Sequence, residues 1–190
     1  MGKKIIRAAT IGLSLNIFCK DLLRELADEG YEVVALSSPD EDLREVEKRE
    51  KVRVVGVKME RRMSPLKDIV SLVKLVRVFA KERPDMVHSM TPKAGLLCMV
   101  AGWMTGVPVR VHTFTGLVWP TAQGLSRRIL MLTDKLTCMC ATHIVPEGEG
   151  VKADLERCIT KKKMKVLGFG NVCGVDLEYW RRKSGERKEE

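Results

Sequence analysis

The stretch VHTFTGLVWPTAQG, Val111 to Gly124, ends a short alternating run in hydroxyls and a glycine, then continues into large apolar residues and a proline. With a period of two, Val111, Thr113 and Thr115 fall on one face of a strand and His112 and Phe114 on the other, with Gly116 at the turn. Hydroxyls at a strand's end, a histidine and an apolar wall of Leu117, Val118 and Trp119 suit a sugar, whose edges hydrogen-bond while its ring packs. His112 is a candidate base or hydroxyl-orienting group, although a lone histidine on a sheet more often has a structural role. His88 and His143 fit that structural role, and three scattered histidines predict no metal site.

Two more loops carry similar residues. In TIGLSLN, Thr10 to Asn16, Gly12 permits close approach, and Ser14 or Asn16 can cap a helix or contact a ligand at its N-terminus. Capping alone accounts for Ser14 equally well. The loop has one glycine and lacks the GxGxxG spacing, which counts against a dinucleotide cofactor; no cofactor is predicted. SMTPKAG places Thr91 and Lys93 at the start of a helix, where a cation opposes the helix dipole unless an anion offsets it. A phosphate or carboxylate ligand would resolve that conflict, and so would a lysine reaching into water.

Apolar periodicity alternates between strand and helix along the chain, as needed to position these loops. IIRAAT, YEVVALSS, VRVVGVKM, DMVHSM, VRVHTFT, THIVP and MKVLGFG read as strands. Between them lie helices over NIFCKDLLRELADEG, DEDLREVEKREK, SPLKDIVSLVKLVRVFAKERP, AGLLCMVAGWMTG, LSRRILMLTDKLTCMCA and EGVKADLERCI. This alternation predicts an α/β, Rossmann-like, doubly wound parallel sheet with helices on both faces. In the order 3-2-1-4-5, the three hydroxyl-bearing loops meet in the crevice at the carboxyl ends of the strands.

The 190 residues suit one domain, and the formal charge of +9 points to an anionic partner. Aromatics at 5% offer few stacking platforms, and no recognition helix or zinc finger appears, so no nucleic-acid partner is expected. The 6 Cys form no CxxC pair and predict free thiols in a reducing cytosol. No segment reads as a signal peptide or as a long apolar span, which predicts a cytoplasmic chain that crosses no membrane. In the helix from Pro65, Ile69, Leu72, Val73, Val76, Phe79 and Ala80 form one apolar face by period, with Lys67, Ser71, Lys74, Arg77 and Lys81 opposite and Leu75 and Val78 among the cations. With Arg61 and Arg62 upstream, this basic face could rest on an anionic membrane; an ordinary solvated face is the equal alternative.

Taken together, TIGLSLNIFCKDLLREL, MERRMSPLKDIVSLVKL, DMVHSMTPKAGLL, VRVHTFTGLVWPT, THIVPEGEGVK and VLGFGNVCGVDLEYW resemble, in that order, the amino-terminal half of a bacterial family 4 glycosyltransferase of the GT-B fold, of the capsular or exopolysaccharide type. The resemblance implies an acceptor-binding domain for a sugar on a polyprenyl diphosphate carrier, with a nucleotide sugar, UDP-linked, held by a second domain. It implies that Gly12, Ser14, Asn16, Thr91, Lys93, Thr113, Thr115 and Gly116 line the acceptor side, with His112 nearby. Glu147 and Gly148 open the loop after the sixth strand, and Asn171 and Asp176 sit at the hinge. Thr115 stands where many members have a histidine, so no catalytic histidine carries over to that position. Residues 1–176 are expected to form the acceptor domain and 177–190 the start of a linker and charged, disordered tail. The donor domain is expected to be absent, leaving the isolated chain inactive. The expected location is cytoplasmic, peripheral on the inner face of the plasma membrane. The alternatives are a non-catalytic subunit that recruits a donor-domain partner and, disfavoured by the first loop, a small Rossmann-like enzyme acting on a nucleotide.

Overall fold

The computed structural model describes residues 2–171 and 173–174. Asp176, the 176/177 domain boundary and the expected tail lie outside the described residues. Six strands form one parallel sheet in the order β3-β2-β1-β4-β5-β6. These are β1 (Lys4–Ala8), β2 (Glu32–Ser37), β3 (Arg53–Gly56), β4 (Met86–Met90), β5 (Val109–Phe114) and β6 (His143–Pro146). The helices are α1 (Gly12–Phe18), α2 (Leu22–Asp28), α3 (Glu41–Glu50), α4 (Pro65–Glu82), α5 (Pro92–Met104), α6 (Gly124–Cys140) and α7 (Glu149–Cys158).

The chain winds outward from β1 in one direction and then from β4 in the other, so right-handed crossovers put α1–α3 on one face and α4–α7 on the opposite one. Two buried clusters record this division. Leu15, Cys19, Leu23, Leu43 and Val46 pack on Val33 and Ala35, whereas Leu75, Phe79, Leu97, Met99, Cys138 and Leu155 pack over Ile6, Leu36, Val87 and Ile144. The doubly wound Rossmann-like class expected from the alternation is the class observed.

Three local expectations are corrected. The helix over residues 16–30 is two helices, broken where Asp21 takes φ 64. The break is held from a distance: the buried Glu50 carboxylate at the end of α3 accepts the backbone N–H of Asp21 at 3.1 Å and of Arg24 at 3.2 Å. Those are orphan donors at the start of α2, and Arg49 Nε supplies the balancing charge at 2.7 Å. The apolar face of α4 is the second correction. Ser71, Leu75 and Phe79 are buried, while Ile69 and Val73 are exposed. Leu75, expected among the cations, is fully buried. Ser71 can point inward because its hydroxyl donates to the carbonyls of Lys58 and Lys67, at 2.7 and 2.9 Å. Third, MKVLGFG forms no strand: it ends in a turn at Gly168 and Phe169, with Leu167 and Phe169 exposed.

At the amino-terminal edge of the sheet, away from the loops of interest, Lys4, Glu32, Arg53 and Glu82 form an ion-paired cluster. Arg53 foremost, then Lys4, holds the Glu82 carboxyl down at about 2, against the opposing effect of its burial.

Candidate functional site

The loops after β1, β4 and β5 meet at the carboxyl edge. Thr10 and Thr91 join the first two: the Thr10 N–H donates to Thr91 Oγ1 at 3.1 Å, and the two hydroxyls lie 2.8 Å apart. The Ala94 N–H donates in turn to Thr10 Oγ1 at 3.2 Å. Two hydroxyls carry two protons and one bridges the pair, so one remains for a ligand. Thr91 has φ 70, uncommon for a β-branched residue, and the bonds to Thr10 hold it there.

A cleft of about 600 Å³ opens beside this junction. Thr10, Ser14, Arg61, Asp68, Thr91 and Lys93 give it polar lining, and Met63, Pro65, Leu96, Val118, Ile129 and Leu130 give it apolar lining. A neighbouring groove lined by Ser38, Lys58, Glu60 and Arg62 shares Ile11 and Arg61 with it. Lys93, expected to need an anion, has one inside the protein. Its Nζ lies 2.7 and 2.8 Å from the two Asp68 oxygens and donates to the Arg62 carbonyl at 2.7 Å. Asp68 thus relieves the conflict with the α5 dipole, and Arg61 is left as the exposed cation at the cleft.

Ser14, Thr91 and Lys93 line the cleft. Gly12 does not. It packs against α3, where its N–H donates to Asp40 Oδ2 at 2.9 Å and a Cβ would lie 2.9 Å from that of Asp42. Asn16 faces away too, bonding Asp42, Glu45 and Arg49. Thr113 is buried on the α1–α3 side, its Oγ1 2.7 Å from His88 Nε2. His88 also meets Arg7, and burial foremost, then the Arg7 charge, keeps its pKa well below the usual histidine value. Thr115 is half-buried and lies outside the cleft lining; Gly116, at φ 136, lines a smaller cavity beside the cleft.

His112 is corrected as a catalytic candidate. It is 1% exposed, its Nδ1 lies 2.9 Å from Ser89 Oγ, and its ring meets Phe114 edge-on at 4.5 Å between centroids. Gly95 of α5 sits against the ring. Burial pushes its pKa down to about 3, leaving a neutral structural imidazole shut off from the cleft. Glu147, Gly148 and Asn171 do come together. The Asn171 N–H donates to the Glu147 carbonyl at 2.8 Å, and a Cβ on Gly170 would lie 2.6 Å from that oxygen.

Sequence reasoning missed Thr10 and Asp68 as site residues, as well as Asp134, which lines the smaller cavity with Trp119. Asp134 leaves a signal: a carboxylate interrupting the apolar run ILMLTDKL of α6.

The outer side of the α4–α6 layer is apolar in two rows. Leu66, Ile69, Val70 and Val73 are exposed on α4, and Leu125, Ile129, Leu132, Leu136 and Met139 on α6, both at helical spacing. Ile129 belongs both to its row and to the cleft wall. Lys67, Lys74, Arg77 and Lys81 are exposed beside the α4 row, not opposite an apolar face as expected. Arg61 and Arg62 stand at the cleft and the adjoining groove. Among the described residues, no helix is long and apolar enough to cross a membrane.

A family model described as a glycosyl transferase 4-like domain matches residues 15–170. The capsular polysaccharide biosynthesis glycosyltransferase CapM of Staphylococcus aureus is 31% identical over 178 residues, 93% of this chain and 46% of that protein. The UDP-Gal:alpha-D-GlcNAc-diphosphoundecaprenol alpha-1,3-galactosyltransferase of Escherichia coli is 31% identical over 122 residues, 62% of this chain and 30% of that protein. The chain therefore spans less than half the length of these relatives. Among solved structures, a glycosyltransferase from Rickettsia africae superposes with a TM-score of 0.68 at 16% identity, covering 95% of this chain and 45% of that one.

Proposed function

Since this chain belongs to the glycosyl transferase 4-like domain family, we propose that it is the acceptor-holding half of a glycosyltransferase. The enzyme would transfer a sugar from a UDP-linked donor to a polyprenyl-diphosphate-linked saccharide in surface polysaccharide synthesis. The observation that carries this reading is the mixed lining of the cleft, threonines and charged groups together with apolar residues, one of which, Ile129, also belongs to the exposed row of α6. A lipid-linked sugar has those two chemistries in sequence. The Thr10–Thr91 pair orients a sugar hydroxyl, while Arg61 and the amino-terminal end of α5 face the diphosphate. The apolar rows, with Lys67, Lys74, Arg77 and Lys81 beside that of α4, rest on an anionic bilayer.

The nucleotide-sugar site is assigned to sequence outside these residues, whether in the same chain or another. The relatives' names supply the substrates: that of the E. coli protein contains both UDP-Gal and an N-acetylglucosaminyl diphosphoundecaprenol. Thermal denaturation with each ligand tests the assignment, because a ligand of the native state raises the midpoint. A short-chain polyprenyl-diphosphate N-acetylglucosamine is expected to raise it and UDP-galactose alone to leave it unchanged. The reverse pattern would assign the cleft to the donor and overturn the reading.

A further inference from the structure

Off the cleft lies a second, smaller cavity of about 20 Å³, lined by Phe114, Gly116, Trp119 and Asp134 together with Pro92, Val118, Leu130 and Thr133. The last four also line the cleft, so the two spaces adjoin. The volume suffices for one oxygen atom with its hydrogen and for nothing as large as a ring. Its polar side chains are Trp119, Asp134 and Thr133, whose hydroxyl proton is already given to the Leu130 carbonyl at 2.8 Å. Trp119 is 1% exposed and its Nε1–H has no hydrogen-bond partner. Arg127 lies over the indole, 5.7 Å from the ring centroid. Asp134 lines the same cavity, and its carboxyl is pushed up to about 6 by burial, offset in part by its interaction with the indole N–H. A buried donor without an acceptor is costly unless something bridges it to the carboxylate that lines the same space. An alcohol oxygen does both: it accepts from the indole N–H and donates to the carboxylate.

We infer that this cavity is a hydroxyl-binding subsite of the cleft, in which Trp119 and Asp134 select one alcohol group of the bound carbohydrate. The inference rests on the reading of the cleft as an acceptor site and adds a specificity determinant to it. Ethers, deoxy positions and N-acetyl groups cannot bridge the pair, because they lack the proton, the oxygen or the small size that the space requires.

The test is a cycle between protein and ligand. Farnesyl-diphosphate-linked N-acetylglucosamine and its 3-, 4- and 6-deoxy analogues are titrated calorimetrically into the wild-type chain, D134L, D134N and W119F, each first shown to be folded by circular dichroism. One deoxy analogue is expected to bind the wild type roughly tenfold or more weakly than the parent sugar. D134L should bind parent and analogue alike, with D134N and W119F in between. The ¹⁵N–¹H resonance of the Trp119 indole should move on binding the parent sugar and stay in place with that analogue. Equal binding of all analogues by the wild type, discrimination that survives in D134L, or an indole resonance indifferent to bound ligand would each overturn the inference and leave the cleft reading standing. The last of these outcomes would make the occupant a water only. Absence of parent binding by the wild type would remove the cleft reading and the inference with it.

Discussion

Replacing Gly95 by alanine tests whether His112 is a wall of the core or a group available for chemistry. In an exposed helix the change would stabilise by about 1 kcal/mol, since glycine is the poorer helix former. Here the new Cβ would lie 2.7 Å from His112 Nε2 and 2.8 Å from Nδ1, nearer than real Cβ contacts allow. The ring cannot swing aside, being held by Ser89 on one side and Phe114 on the other. The ring's Cε1 would lie nearer still, so relief requires α5 or the imidazole to shift by about 1 Å or more, and overpacking of this kind costs about 1–3 kcal/mol. The upper part of that range applies because both partners are fixed, so the net loss is about 1–2 kcal/mol, or roughly 2–8 °C in Tm for a chain of this size. In a H112A background the clash is gone and only the helix preference remains, so G95A should then be neutral or stabilising. Urea denaturation followed by circular dichroism on the four chains gives the coupling directly. Equal effects of G95A in the two backgrounds, or stabilisation of the wild type, would refute the claim that the imidazole is locked beneath α5.

Three further outcomes are expected. Replacing Leu66, Ile69 and Val73 by serine should weaken binding to anionic vesicles by roughly tenfold or more without lowering Tm, since all three are exposed and each buried aliphatic is worth about 1.5–3 kcal/mol; unchanged co-sedimentation would remove the membrane face. E82Q should lower stability near pH 7 by about 1–2 kcal/mol, discounted for the exposure of Arg53. Because the folded pKa of Glu82 is depressed to about 2, that stability is present above the unfolded value near 4.5 and disappears as pH falls toward 2, so the difference between E82Q and wild type should close over that window in acid denaturation. For Asp134 the sign is opposite: its folded pKa is raised to about 6, so the folded state holds its proton longer and stability falls as pH rises from about 4 to 6. D134N should therefore be more stable than wild type by roughly 1–2 kcal/mol at pH 7 and equal to it below pH 4. The neighbouring Cys138 thiol stays clear of that interval, pushed up to about 12 by burial foremost and then by the Asp134 charge.

The alternation of elements was legible because each strand and helix carries its own apolar period, and the three-loop junction followed from the topology those elements imply. What escaped the sequence depended on remote partners. Nothing near Asp21 announces a break, since the groups that receive the freed N–H donors belong to Glu50, 29 residues away. In α4, apolar residues occupy most of the circumference, and counting them could not show that Ser71, satisfied by two carbonyls, would take an inward place while Ile69 faced outward. The position of Lys93 suggests an anionic ligand or a side chain in water, and the sequence could not place Asp68 beside it from the preceding helix. His112 was chosen by residue type, and only the packing of Gly95 against it shows why chemistry is closed to it.

The cleft wall and the exposed row on α6 share Ile129, and this continuity affects how a lipid-borne ligand would arrive. Hauling a polyprenyl tail into water at about 0.8 kcal/mol per methylene would cost tens of kcal/mol. A groove that drains sideways into the bilayer surface avoids that barrier, because the head group can pivot upward while its tail stays dissolved. On the proposed function, encounter would then become a search over a plane instead of a volume, and the concentration governing occupancy would be the number of carriers per unit area of lipid.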